Sequence, residues 1–106
     1  MTDKEFRKVY SHFTVMIWKK NNVPLDGHLP ENCFLEIFVI LKNGLRFDNI
    51  RLFDSSEKSE ITYSQSLVTL IRESGTLMFS VDDILVVGTD YYREFQLYKE
   101  IAGLSA

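Results

Sequence analysis

The sequence predicts an α+β fold in one domain, residues 1–106: an N-terminal helix, a small, strongly bent, five-stranded antiparallel barrel, and a C-terminal helix. Three observations predict it. Apolar residues recur at three- and four-residue spacing near both ends of the chain. Between them that period gives way to short, β-favouring apolar runs separated by turn residues. The composition, 45% hydrophobic and 13% aromatic with five glycines and two prolines, supplies one core and excludes disordered, collagen-like and low-complexity classes.

The first helix is read over residues 1–22. Thr2 or Asp3 caps it, and Glu5 puts negative charge in the first turn, where it suits the helix dipole. Phe6, Val9, Tyr10, Phe13, Met16 and Ile17 form one apolar stripe, read as the core-facing side. Lys19-Lys20 place cations at the C-terminus. Asn21-Asn22 tolerate the left-handed stop conformation, and Val23-Pro24 ends the helix.

Residues 24–32 hold both prolines and one glycine and read as an irregular loop. The barrel is read over 33–88. Residues 33–41 form the first strand, and Lys42-Asn43-Gly44 the turn, since Asn-Gly between apolar runs is the strongest short hairpin signal. The second strand, 45–52, must bulge near Asp48-Asn49, because the step from Phe47 to Ile50 breaks strict alternation. A polar turn spans 54–59. Ile61 and Tyr63 extend a strand, and 67–71 form the third; Arg72-Glu73-Ser74-Gly75 is a second hairpin turn with Gly75 at a positive-φ position. Residues 76–81 make the fourth strand. Asp82-Asp83 break it, and 84–87 make the fifth. Thr89 or Asp90 then caps a last helix, 90–102, carrying Tyr91, Tyr92, Phe95, Tyr98 and Ile101, with Gly103 ending it.

Strands 76–81 and 84–87 are uncharged in their interiors. Edges of that kind are covered by a helix or by another chain. Either the Tyr-rich C-terminal helix covers them, or the protein forms a homo-oligomer through strand edges 76–87.

Several chemistries are weighed and set aside. No apolar run approaches the ~18 residues of a membrane span, and the first twenty residues lack a signal peptide's order, so no membrane partner is expected. A single cysteine, Cys33, makes a reducing, cytoplasmic setting the expectation. Asp26, His28 and Cys33 lack the paired spacing of zinc ligands, so no metal and no cofactor is expected. Cys33 opens an apolar strand and reads as an inert small hydrophobe rather than the partner of His28 in a nucleophile pair. Neighbouring residues in extended chain face opposite sides, so Asp82 and Asp83 read as turn residues rather than an acid–base pair. Gly44, Gly75 and Gly88 are isolated turn glycines, not a phosphate loop. No catalytic residue is expected.

Charge divides the chain. Through Phe53 there are eight basic and six acidic residues (net +2); from Asp54 onward there are four and nine (net −5). An anionic partner would meet the first half and a cationic one the second.

The middle of the chain resembles the Sm-like proteins, most closely their bacterial Hfq branch. Lys19-Lys20-Asn21-Asn22-Val23-Pro24 is similar to the family's helix-to-barrel junction. Ile40-Leu41-Lys42-Asn43-Gly44-Leu45-Arg46-Phe47 with Phe53-Asp54 resembles the first Sm signature, and residues 67–71, 72–75, 76–81 and 84–87 follow the order of the remaining strands. The resemblance covers roughly residues 19–88. It implies a bent five-stranded barrel behind a helix, closed into a ring by strand pairing between subunits and binding single-stranded RNA, with Asp54 and Asn43 carried over to the RNA pocket. Phe79-Ser80-Val81 stands where Hfq proteins carry Tyr-Lys-His and Sm proteins Ile-Arg-Gly. Asn49 stands near a family glycine, and residues 25–32 and the Tyr-rich C-terminus have no counterpart.

Two functions follow. One is a non-catalytic interaction module, an adaptor, inhibitor or self-assembling component, binding a protein partner or itself with Tyr91, Tyr92, Phe95 and Tyr98 as interface anchors. The alternative is an Sm-like RNA-binding ring that uses Lys8, Lys19, Lys20, Lys42, Asn43, Arg46, Arg51 and Asp54.

Overall fold

A capping box starts the single helix among the described residues. The Thr2 hydroxyl accepts from the Glu5 amide at 3.1 Å, and the Glu5 carboxylate accepts from the Thr2 amide at 3.0 Å. The helix, α1, then runs Asp3–Lys20, and Asn22, at φ 55°, turns the chain out of it. The structure, a computed structural model, describes residues 1–24, 27–29, 32–55 and 57–89. The predicted C-terminal helix, 90–102, with Tyr91, Tyr92, Phe95 and Tyr98, lies outside the described residues, as does Asp26.

Six antiparallel strands follow: β1 (Phe34–Leu41), β2 (Arg46–Phe53), β3 (Ile61–Ser64), β4 (Leu67–Arg72), β5 (Gly75–Ser80) and β6 (Ile84–Gly88). A 3-10 turn, Val81–Asp83, joins the last two. They form two three-stranded sheets, ordered β2-β1-β6 and β3-β4-β5. This corrects the expectation of a closed, five-stranded barrel in two respects. Residues 61–72 divide into a hairpin, because Gln65 and Ser66 adopt φ 50° and 68° and make a two-residue turn that a Gln-Ser pair does not announce. And β2 and β3 belong to different sheets, each with its own ladder.

The predicted turns and bulge are present. Gly44 and Gly75 take φ 92° and 140°. The β1–β2 register shifts between Ile37 and Val39, opposite Asn49 at φ 55°, so the bulge restores the apolar residues to the inner face.

Alternation divides β1 cleanly. Leu35, Ile37, Val39 and Leu41 point inward, while Phe34, Glu36, Phe38 and Ile40 lie on the outer face. The inner set joins Phe6, Phe13, Met16 and Ile17 of α1, Ile50 and Leu52 of β2, and Ile61, Val68 and Leu70 of the second sheet in one core. Phe47 of β2 stacks on Phe79 of β5, with ring centroids 6.3 Å apart and planes within 7°, tying one sheet to the other.

Gly88 shows how closely the outer face is packed. Its partner across the ladder is Phe38, and a Cβ on Gly88 would lie 2.5 Å from that ring. Gly88→Ala therefore forces the ring to move and is expected to destabilise the protein by roughly 1–3 kcal/mol, read as a lower urea midpoint.

Candidate interaction surfaces

Each three-stranded sheet has two edges. Those of β2 and β3 are tied together within the chain: the Glu60 amide donates to the Arg51 carbonyl at 2.9 Å, and the Arg51 amide donates to the Glu60 carboxylate at 2.7 Å. Arg72 of β4 adds a bond to the Asp48 carbonyl at 2.9 Å. Among the described residues, the other two edges, β5 and β6, pair with a strand on one side only.

The turn between them is fixed at both ends. The Val81 amide donates to the Ser66 carbonyl and the Lys42 amide to the Asp83 carbonyl, each at 2.8 Å, and Ser80 caps the Asp82 amide at 3.2 Å. Asp82 and Asp83 are both exposed there. On either side of this anchored turn the edges carry large exposed apolar residues: Leu77 (45% exposed) and Met78 (61%) on β5, Leu85 (59%) and Val86 (39%) on β6. Leu67 and Ile71 of the neighbouring β4 are exposed as well. Neither β5 nor β6 contains a charged residue. Exposed apolar side chains on edge strands that carry no charged side chain make a surface suited to strand addition, and at the start of β6 the α-amino group of Met1 already bonds the Ile84 carbonyl at 2.8 Å.

A second surface lies on the outer face of the first sheet. Cross-strand pairing sets Phe34 against Phe53, and Glu36 against Arg51. The Lys20 ammonium and the Arg51 guanidinium both lie over the Phe34 ring, 5.2 and 5.1 Å from its centroid. Four residues along β1, Arg46 lies 4.4 Å over Phe38 while bonding Asp48 at 2.8 Å. Of the eight residues read as RNA contacts, the structure thus brings Lys20 and Arg51 to one ring and places Arg46 on the same sheet. Lys8 is exposed on α1, and Lys19 is half-buried there. Lys42 and Asn43 sit in the β1–β2 turn, where the Asn43 side chain accepts from the Leu45 amide at 3.0 Å. Asp54 lines a shallow hollow with Leu29, Cys33, Phe53, Ser55, Glu57 and Lys58.

Cys33 is buried and His28 exposed. Among the described residues no three His, Cys, Asp or Glu side chains gather in a metal-binding group, and no helix is long and apolar enough to cross a membrane.

One polar cluster has no sequence signal. The hydroxyls of Tyr63 and Ser66 both donate to the Asp3 carboxylate, that of Ser66 at 2.6 Å, latching the start of α1 to the β3–β4 turn. More than sixty positions separate Ser66 from Asp3, so no local pattern marks the pair. These bonds hold Asp3 below the usual carboxylate range, with Arg7 acting in the same direction. Glu5 is lowered too, chiefly by the Thr2 amide. Burial raises the Tyr10 phenol above its ordinary value. Because Asp3 and Glu5 are lowered on folding, what they add to stability is complete above the unfolded carboxylate range, about pH 4, and is lost as pH falls through their lowered values. Asp3→Asn is expected to lower the urea midpoint at pH 7 and to flatten its decline towards pH 3.

Compared with known proteins, the chain matches no family model, no curated protein and no solved structure.

Proposed function

We propose that this chain is a non-catalytic interaction module that works through protein–protein contacts, as a self-assembling component whose β5 edge pairs with the β6 edge of a second copy. The observation that carries the reading is the pair of apolar edges on either side of an anchored turn, free of charged side chains and, among the described residues, paired with a strand on one side only. One head-to-tail interface covers both edges of every copy, whereas two-fold pairing of like edges needs two different interfaces to do so. The element order supports kinship with Sm-like proteins: a helix, a strand, an Asn-Gly turn, a bulged strand, and a last strand returning to pair with the first. The test is the solution mass by light scattering across a dilution series. Association lost on dilution supports the reading, and a chain that is monomeric throughout removes it.

A second reading, an oligomeric ring binding single-stranded RNA, draws support from Lys20 and Arg51 over Phe34 and Arg46 over Phe38. It predicts anisotropy changes with a labelled U-rich oligoribonucleotide at low ionic strength that decline steeply with salt. Under it, Lys20→Gln with Arg51→Gln reduces the salt slope by about two counterions. No binding at low salt eliminates this reading. Strand pairing between copies is common to both readings; protein association is preferred because it needs only the apolar edges, whereas RNA binding rests on three further cations, of which Arg46 is already paired with Asp48.

A further inference from the structure

We propose that Met78 makes this association sensitive to oxidants; the proposal rests on the edge-pairing reading above. The chain has three methionines, in three different environments. Met16 is wholly buried in the core. Met1 is half-buried against the core and held by its α-amino group, which donates to the Ile84 carbonyl at 2.8 Å. Met78, in the middle of the β5 edge, is the most exposed large apolar residue among those described. The one thiol in the sequence, Cys33, is buried. An oxidant that attacks exposed sulfur therefore meets Met78 first.

The chemistry is a two-electron oxygen transfer. With hydrogen peroxide as the oxidant, the O–O bond breaks as the Met78 sulfur bonds one oxygen; the sulfur is oxidised, the peroxide is reduced, and the second oxygen leaves as water. The sulfoxide is polar and accepts hydrogen bonds, so the side chain no longer favours contact with apolar residues of an added strand. Met78 lies opposite Thr69 in the β4–β5 ladder, while its neighbours Leu77 and Phe79 alternate to the other side. Oxidation thus changes the edge without touching the core, and the step reverses: a methionine sulfoxide reductase returns the thioether, its two thiols become a disulfide, and the oxygen leaves as water.

The experiment treats the purified protein with hydrogen peroxide, locates added oxygen by peptide mass mapping, and measures solution mass by light scattering. Addition at Met78 is expected before any at Met16. The association constant is expected to fall about tenfold or more, with an unchanged far-UV spectrum, and to recover with reductase and dithiothreitol. Met78→Leu should associate and ignore peroxide, whereas Met78→Gln should behave like the oxidised chain. Complete sulfoxide formation at Met78 with unchanged association overturns this inference and leaves edge pairing standing. So does a Met78→Leu chain that still dissociates in peroxide. An untreated chain that is monomeric at every concentration overturns both.

Discussion

A lysine on either open edge is expected to convert the assembly proposed above into a monomer. Met78→Lys places the charge on β5 and Leu85→Lys places it on β6, at the two most exposed large apolar positions among the described residues. A strand pairing there must strip water from the ammonium group, costing on the order of 2–3 kcal/mol, about a hundredfold in association constant. Lysine on an exposed edge is also a common natural guard against unwanted strand addition. Both side chains already face solvent, so the fold should keep its far-UV spectrum, and its urea midpoint should match that of the unmodified chain diluted to the monomer. Head-to-tail pairing makes a sharper demand. The Met78→Lys chain keeps an intact β6 edge, and the Leu85→Lys chain an intact β5 edge. Mixed in equal amounts, they should form a heterodimer that grows no further. Two-fold pairing of like edges would leave at least one of the variants still dimeric on its own.

The second large effect is expected at Phe6. Its side chain is buried, its ring centroid lies 4.9 Å from that of Tyr63 and 6.0 Å from that of Tyr10, and it joins α1 to the second sheet. Phe6→Ala leaves a cavity at the junction of helix and sheet and is expected to cost about 3–5 kcal/mol, a large part of a small domain's total stability of roughly 5–15. The Asp3 latch lies one turn away, so loosening here also weakens the hydroxyl bonds from Tyr63 and Ser66. Phe6→Leu refills most of the space and should recover more than half of the loss in urea denaturation. A loss below about 1 kcal/mol in Phe6→Ala would mean that the helix adds little to the core.

How much of this was legible in the chain depends on how local each signal is. The α1 stripe, a cap at Thr2 or Asp3, a stop at Asn21-Asn22, the Asn43-Gly44 turn, a bulge near Asp48-Asn49 and the positive φ of Gly75 all depend on a few neighbouring residues and are legible in the sequence; the structure settles them on Thr2, Asn22 and Asn49. The Gln65-Ser66 turn was not legible, because its left-handed conformation is held from outside: Asp3 accepts from the Ser66 hydroxyl and the Val81 amide donates to the Ser66 carbonyl. Missing it led to five strands in place of six. The expected barrel closure failed on a similar ground, since β2 and β3 meet through single bonds at Arg51 and Glu60 rather than a ladder, and sequence periodicity carries no information on that. For the surfaces, the absence of charge along β5 and β6 could be read directly. The sequence marks strands 76–81 and 84–87 as the edges, and the sheet orders place β5 and β6 at the ends of their sheets. Lys20 and Arg51 stand far apart in the sequence; their meeting over Phe34 depends on the β1–β2 register and on where α1 ends.

Association through the β5 and β6 edges is the claim on which the functional reading stands. Light scattering of the unmodified chain at tens of micromolar tests it most directly. The expected result is a mass several times the 12.4 kDa of one chain, falling towards that value on dilution. A single species of 12.4 kDa at every concentration would contradict it.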